Sequence, residues 1–254
     1  MPRASTRKTF HNSNFLRVLS DLALVESVEP GVAFAEKLGA WLSLDGAITL
    51  HAVHASGTNT SRSQPGSTGK IALDEEFTRL RTCLGKLDAP TESTTFSSTR
   101  RHAPSTPGDE PMNLATSYDP YRRYYSAHQR EMEASIHPFR IKVRDVLAKT
   151  SPTLAKLAAM DAVFDSSLGD HERKLFSRVP SLLEKRFKQL HQTHQQALAD
   201  IPEADNPAPE TTAAAWLARF WQEFQVVLRA ELDARLEPTL GLIEALNHEM
   251  TQHP

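Results

Sequence analysis

The sequence predicts an all-α fold: an elongated long-helix hairpin or bundle with a small N-terminal helical unit and disordered linkers. Three observations lead there. After Tyr118, apolar residues recur at steps of three and four, the period of one helix face. Aromatic residues make up only 7% of the chain and β-branched runs are few, so little of it reads as a half-buried strand. Ser, Thr, Pro and Gly gather in a few stretches without any apolar period, which read as linkers.

The N-terminal unit spans 1–55. In NSNFLRVLSDLALV, Asn12, Ser13 and Asn14 are candidate N-caps, and Phe15, Leu16, Leu19, Leu22 and Val25 follow at helical spacing. EPGVAFAEKLGAWLSL has Pro30 at a first helical turn and brings Phe34, Leu38, Trp41 and Leu42 to one face, so these two helices are expected to pair as a hairpin. Asp45 suits the cap of a third helix through GAITLHAVHA, where Ile48, Thr49 and Val53 keep a strand as the alternative. Residues 56–69 form a flexible linker, 70–88 one helix with Leu73, Phe77, Leu80 and Leu84 in line, and 89–117 a second, longer disordered linker.

A long-helix hairpin is expected over 118–199. Tyr118, Tyr121, Tyr125, His128, Met132, Ile136, Phe139, Val143 and Val146 form a near-heptad stripe, the mark of a long helix packed along one seam, with a kink expected near Pro138. Ser151 and Pro152 read as the N-cap and first turn of the next helix, which carries Leu154, Leu157, Met160, Phe164 and Leu168 up to a break at Gly169 and Asp170. Leu175, Val179, Leu183, Phe187 and Leu190 mark another helix, bent or restarted at Pro180. After a linker at 200–211, acidic helices fill 212–250: Leu217, Trp221, Phe224, Leu228 and Leu232 line the first, and Pro238 separates a final one with Leu240, Ile243 and Leu246.

The net charge of −2 conceals an uneven distribution. The segment 118–194 has 14 basic and 9 acidic residues, whereas 195–254 has 3 and 10. The acidic tail is therefore expected to fold back on the basic middle, or to dock there from another subunit. One cysteine, Cys83, excludes an internal disulfide and a cysteine-based zinc site, and it reads as a small core or boundary residue. No apolar run is long enough to span a membrane and no leader is visible, so a cytoplasmic chain is expected, with no direct membrane insertion.

No motif signals catalysis, a metal or a cofactor. QPGSTGKI ends like a phosphate loop, but Gln64 and Ile71 stand where the motif needs a glycine and a Ser or Thr, so a linker entering a helix at Lys70 is the better reading. The pairs His51/His54 and His191/His194 have ligand-like spacing without a third ligand in reach of the pattern, and read as solvated helix histidines. What stands out is YDPYRRYYSAHQREMEASIHPFR. Its Tyr118, Tyr121 and Tyr125, continued by Met132, Ile136, Phe139 and Val143, form the candidate interaction seam. Arg122, Arg123 and Arg130 fall off that seam and, with Lys185, Arg186 and Lys188, form a candidate basic face. Aromatic and basic groups on different faces favour a packing seam over a groove that stacks bases and grips phosphates.

SPTLAKLAAMDAVFDSSL, HERKLFSRVPSLLEKRF and YRRYYSAHQREMEASIHPFRIKVRDVL resemble a proteobacterial family of helical proteins without an assigned chemistry. That resemblance implies company with OmpA-like peptidoglycan-binding proteins and with membrane proteins similar to the MotA, TolQ and ExbB stator class. The expected role is a non-enzymatic interaction or scaffold protein, an accessory of an envelope complex with protein partners or self-association. The alternative is a nucleic-acid-binding accessory that uses the basic face of 122–188.

Overall fold

The structure is a computed structural model that describes residues 14–24, 39, 41–42, 44–55, 67–86, 117–199 and 209–252. Among them are seven helices and no strand: α1 (Asn14–Asp21), α2 (Leu44–Ala55), α3 (Ser67–Leu84), α4 (Asp119–Thr150), α5 (Pro152–Phe176), α6 (Val179–Ala199) and α7 (Pro209–Gln252). The all-α expectation holds, and GAITLHAVHA is helical rather than extended. None of these helices is long and apolar enough to cross a membrane. The second N-terminal helix, apart from Gly39, Trp41 and Leu42, and nearly all of the 89–117 linker lie outside the described residues.

The framework is the hairpin of α4 and α5. Ser151 alone joins them, with extended backbone, and its hydroxyl accepts the Leu154 N–H at 3.2 Å while Pro152 fills a position that needs no donor. Contacts from Arg140 to Asp161 and from Gln129 to the Phe176 carbonyl pair earlier residues of α4 with later ones of α5, so the two run antiparallel. Helix α6 returns alongside α4: the Tyr118 hydroxyl donates to the Pro180 carbonyl at 2.7 Å and Arg122 reaches Glu184 at 3.1 Å. Helix α7 then runs the length of α4, from Tyr121 against Phe220 to the cluster in which Phe139, Val143 and Leu147 meet Leu242, Ile243 and Leu246.

The core has an aromatic end and an aliphatic end. At the first, Tyr121 meets Phe220 edge-on at 5.1 Å and Tyr125 meets Phe224 at 5.3 Å, each pair contributing about 1 kcal/mol beyond the area it buries. Phe15 and Leu19 of α1 and Leu84 of α3 join that end, while Leu73 joins the aliphatic one. Helix α2 lies against α5, with Lys156 donating to the His54 carbonyl at 2.5 Å.

Several boundaries differ from expectation. Helix α3 begins at Ser67, inside the stretch assigned as linker, and stops at Leu84, where the Gly85 N–H still donates to the Arg81 carbonyl at 2.9 Å. Helix α7 begins at Pro209, a residue suited to a first turn. The break at Gly169 and Asp170 is absent: α5 continues to Phe176, since a helical glycine costs only about 1 kcal/mol and Phe176 buries a whole ring in return. Pro138, where the sequence predicts a kink within one long helix and not a break, lies inside a continuous α4. Likewise Pro238 does not divide the C-terminal region, because Leu236 on one side and Leu242, Ile243 and Leu246 on the other are held buried by α3 and α4. Cys83 is exposed on α3, contrary to the core or boundary position expected of it; Leu73, Phe77, Leu80 and Leu84 take the inward face.

Candidate functional site

Where the seam residues lie decides which surface is left for function. Tyr118, Tyr121, Tyr125, Met132, Ile136, Phe139 and Val143 are all buried. Their partners are the chain's own α6 and α7: Phe187, Phe220 and Phe224 close around Tyr118, Tyr121 and Tyr125. Tyr124 is buried too, edge-on to Trp221 at 5.6 Å. The stripe of three- and four-residue steps passes over it because a core-facing helix buries a wider sector than a coiled-coil seam. Burial raises the phenols of Tyr118 and Tyr125 well above their ordinary range, and pushes that of Tyr121 up to about 12.

Inside the aromatic end sits one carboxylate with no solvent exposure, Glu231 of α7. It accepts the Tyr125 hydroxyl at 2.7 Å, the Gln129 amide at 3.0 Å and the Arg235 guanidinium at 2.8 Å. Burial raises its pKa in spite of these donors, of which Arg235 counts most. Gln129 also donates to the Phe176 carbonyl, and Arg235 lies over the Phe176 ring at 4.1 Å. The cluster locks α4, α5 and α7 to each other.

Arg235 reaches from this cluster to the surface, where it meets the basic residues of α4. A groove of about 500 Å³ is lined by Arg122, Arg123, Arg130, Arg173 and Arg235, with Ser126, Gln129 and Ser177 between them and Glu133 the one carboxylate. The guanidiniums differ in how they are engaged. Arg122 is shared between Asp119 at 3.3 Å and Glu184 at 3.1 Å, and lies 5.8 Å from the Tyr118 ring. Arg173 binds Asp170 and Glu133. Arg130 makes only a 3.3 Å contact to the Ser126 carbonyl, and Arg123 makes no ion pair among the described residues.

The rest of the expected basic face is elsewhere. Arg186 forks onto Glu223 with distances of 2.7 and 2.8 Å, which ties α6 to the acidic tail helix. Burial alone would raise the Glu223 carboxyl, but the bonds from Arg186 and Arg219 outweigh it and hold the group low. Lys188 pairs with Glu184 at 2.8 Å and Lys185 is exposed. Neither lines the groove.

Beside the groove, sharing Glu133, Arg173 and Arg235 with it, is a cavity of about 270 Å³ between α4, α5 and α7. Met132, Ala134, Ile136 and Pro138 supply an apolar wall, and His137, Arg140, Asp165 and Glu172 supply polar groups. Arg140 is fully engaged by Asp161 at 2.5 Å and Asp165 at 3.0 Å, and Arg144 shares the same two carboxylates. Glu172 has no hydrogen bond or ion pair among the described residues. Burial raises its pKa, opposed by the more distant charges of Arg235, Arg140 and Arg173.

The two histidine pairs have separate settings: His51 and His54 are exposed on α2, while His191 and His194 are half-buried, with ring centroids 5.3 and 6.2 Å from that of Trp216. Among the described residues no group of three His, Cys, Asp or Glu is arranged to hold a metal. Gly69 and Lys70 of the phosphate-loop look-alike lie within the first turn of α3. Residues 1–248 match a family described as protein of unknown function (DUF3348), and the chain belongs to that family. No curated protein and no solved structure matches it.

Proposed function

We propose that this family member is a non-enzymatic helical interaction protein and that the arginine-lined groove takes an acidic segment of a protein partner. The observation that carries the reading is the pairing of Arg123 and Arg130. Both are exposed on one face of α4 without a carboxylate partner among the described residues, on a helix immobilised by its buried opposite face. A guanidinium held in place by the fold loses less entropy on binding a carboxylate than one on a mobile arm, and a forked contact adds direction.

A protein segment suits the groove better than a nucleic acid. The tyrosines beside it are buried, so among the described residues its lining offers no ring on which a base stacks. Glu133, Asp119 and Glu184 interrupt the positive surface, which penalises a continuous run of phosphates more than a short acidic peptide. A cytoplasmic role as accessory to an envelope complex, with a stator-like or OmpA-like component or a second copy of the chain as partner, is the biological setting that fits such a module. Nucleic-acid binding is the second reading; Arg122, Arg123, Lys185 and Lys188, all exposed on the neighbouring helices α4 and α6, favour it.

Fluorescence anisotropy with a labelled glutamate-rich peptide and a single-stranded DNA of equal length, across a salt series, separates the two. The expected result is saturable peptide binding, weakened at least tenfold (about 1.4 kcal/mol) by Arg123→Glu with Arg130→Glu, and weaker DNA binding. Tighter binding of DNA, with affinity falling steeply as salt rises, would transfer the assignment to the second reading. Absence of binding to either probe would remove the groove from consideration.

A further inference from the structure

The cavity between α4, α5 and α7 contains a feature that the groove does not explain. Its three guanidiniums already have carboxylate partners: Arg140 is held by Asp161 and Asp165, Arg173 by Asp170 and Glu133, and Arg235 by Glu231. The acceptor left over is Glu172, on the inward side of α5, with no donor among the described residues. Glu172 is half-buried and its carboxylate has only water as a donor, so a charged donor entering the cavity meets an acceptor that no protein group among the described residues engages. Counting the cavity's charged groups with their ion-pair partners, including Arg144, gives Glu133, Asp161, Asp165, Asp170, Glu172 and Glu231 against Arg140, Arg144, Arg173 and Arg235, an excess of two negative charges. An anion is disfavoured there in spite of the arginines. The opposite wall, formed by Met132, Ile136 and Pro138, is apolar and matches a hydrocarbon stem.

We infer that this cavity is a binding site for a primary ammonium on an alkyl stem, with the Glu172 carboxylate as its acceptor. The ammonium takes the place of water at Glu172 and halves the negative excess, while the stem lies along the apolar wall. Two sources carry that chemistry, a free alkylamine and the lysine side chain of a protein partner. The site stands independently of what the arginine groove binds.

The test titrates the full chain with n-butylamine and with 1,4-diaminobutane at pH 7, followed by calorimetry and by NMR shifts of the Met132 methyl group, with butanoate as the counter-probe. A lysine-containing peptide and its Nε-acetyl-lysine form distinguish the sources. Saturable amine binding is expected, with the Met132 signal moving, and Glu172→Gln should weaken it about tenfold or more, the scale of one charge-assisted hydrogen bond. Gly169→Leu gives a second variant: a Cβ there meets only the Arg173 guanidinium at 4.0 Å, so the new side chain has room to fill the cavity and exclude the ligand. Preference for the unmodified lysine peptide over the free amine identifies a partner's side chain, and the reverse identifies a small molecule; either supports the site. No amine binding by the parent, equal binding by Glu172→Gln, or preference for butanoate would overturn it.

Discussion

Replacing Arg235 by Met is the most informative perturbation of the fold, because it leaves the buried Glu231 carboxylate without its countercharge. In the parent, Glu231 has zero exposure and three donors, Tyr125 at 2.7 Å, Gln129 at 3.0 Å and Arg235 at 2.8 Å. Met keeps an apolar stem of similar length and loses the guanidinium that lies over the Phe176 ring, so the loss is mainly electrostatic. Stranding a buried charge in this way costs about 3–5 kcal/mol, whereas Tyr125→Phe, which leaves Gln129 and Arg235 in place, should cost only about 1–2 kcal/mol. At roughly 2–4 °C per kcal/mol for a chain of this size, the first variant melts roughly 6–20 °C below the parent. Adding Glu231→Gln to Arg235→Met removes the stranded charge and keeps an acceptor for Tyr125, so the double variant should regain about 2 kcal/mol. Because burial raises the folded-state pKa of Glu231, the penalty for its charged form grows as pH rises above the ordinary carboxyl range and shrinks as pH falls toward it. The Arg235→Met deficit should therefore be smaller at pH 5 than at pH 7. Urea unfolding of the parent and the three variants at both pH values supplies the measurement. A cost below about 1 kcal/mol for Arg235→Met, or no recovery in the double variant, would refute this account of the core.

Glu223 gives the opposite pH behaviour: its folded-state pKa is held low, so the stability it contributes is complete above the ordinary carboxyl range and is lost as pH falls through the folded value. Melting curves from pH 5 to pH 3 should fall less steeply for Glu223→Gln than for the parent, and parallel curves would exclude the Arg186 fork as a source of acid sensitivity. Tyr121→Ala should cost about 3–5 kcal/mol and Arg123→Ala less than about 0.5 kcal/mol, since the first is 2% exposed and the second has no ion pair among the described residues; equal melting temperatures would contradict the placement of the seam. Gly169→Ala should stabilise the chain by about 0.5–1 kcal/mol, because the glycine is helical and an added Cβ meets nothing closer than 4.0 Å. A drop in melting temperature would mean that the cavity it lines does not tolerate even a methyl group.

The helices and the seam were legible because both depend on a local period. Steps of three and four from Tyr118 to Val143 select one face whatever that face later meets, and the structure buries every one of those apolar and aromatic residues, with His128 half-buried. Breaks are less legible, since Gly169 and Pro238 carry local penalties of about 1–3 kcal/mol that the burial of residues such as Phe176 and Leu242 outweighs. The ion pairs had a signal that periodicity alone does not reveal. With a one-residue turn at Ser151, each helix of the hairpin mirrors the other, and Arg140 lies about as far before the turn as Asp161 lies after it. Arg173 and Arg235 had no such signal, because α5 and α7 bring them to the groove from elements distant in the chain.

Glu172 shows how one boundary controls the chemistry. Had the chain broken at Gly169, the sequence DHERK after it would form a solvated turn and Glu172 would be one more surface carboxylate. Helix α5 continues instead, so the spacing of Asp161, Asp165, Leu168, Glu172 and Phe176 keeps all five on the side of α5 that faces α4 and α7. On that side Asp161 and Asp165 find Arg140 and Arg144, and Phe176 finds Phe15 and Arg235. Glu172 lines the open cavity beside Asp165 and has no ion pair of its own among the described residues. A helix that continues past Gly169 thus turns a carboxylate toward the cavity at a position where no described residue donates to it, which is why Gly169→Leu and Glu172→Gln should weaken the same binding by different means, one removing the space and the other the charge.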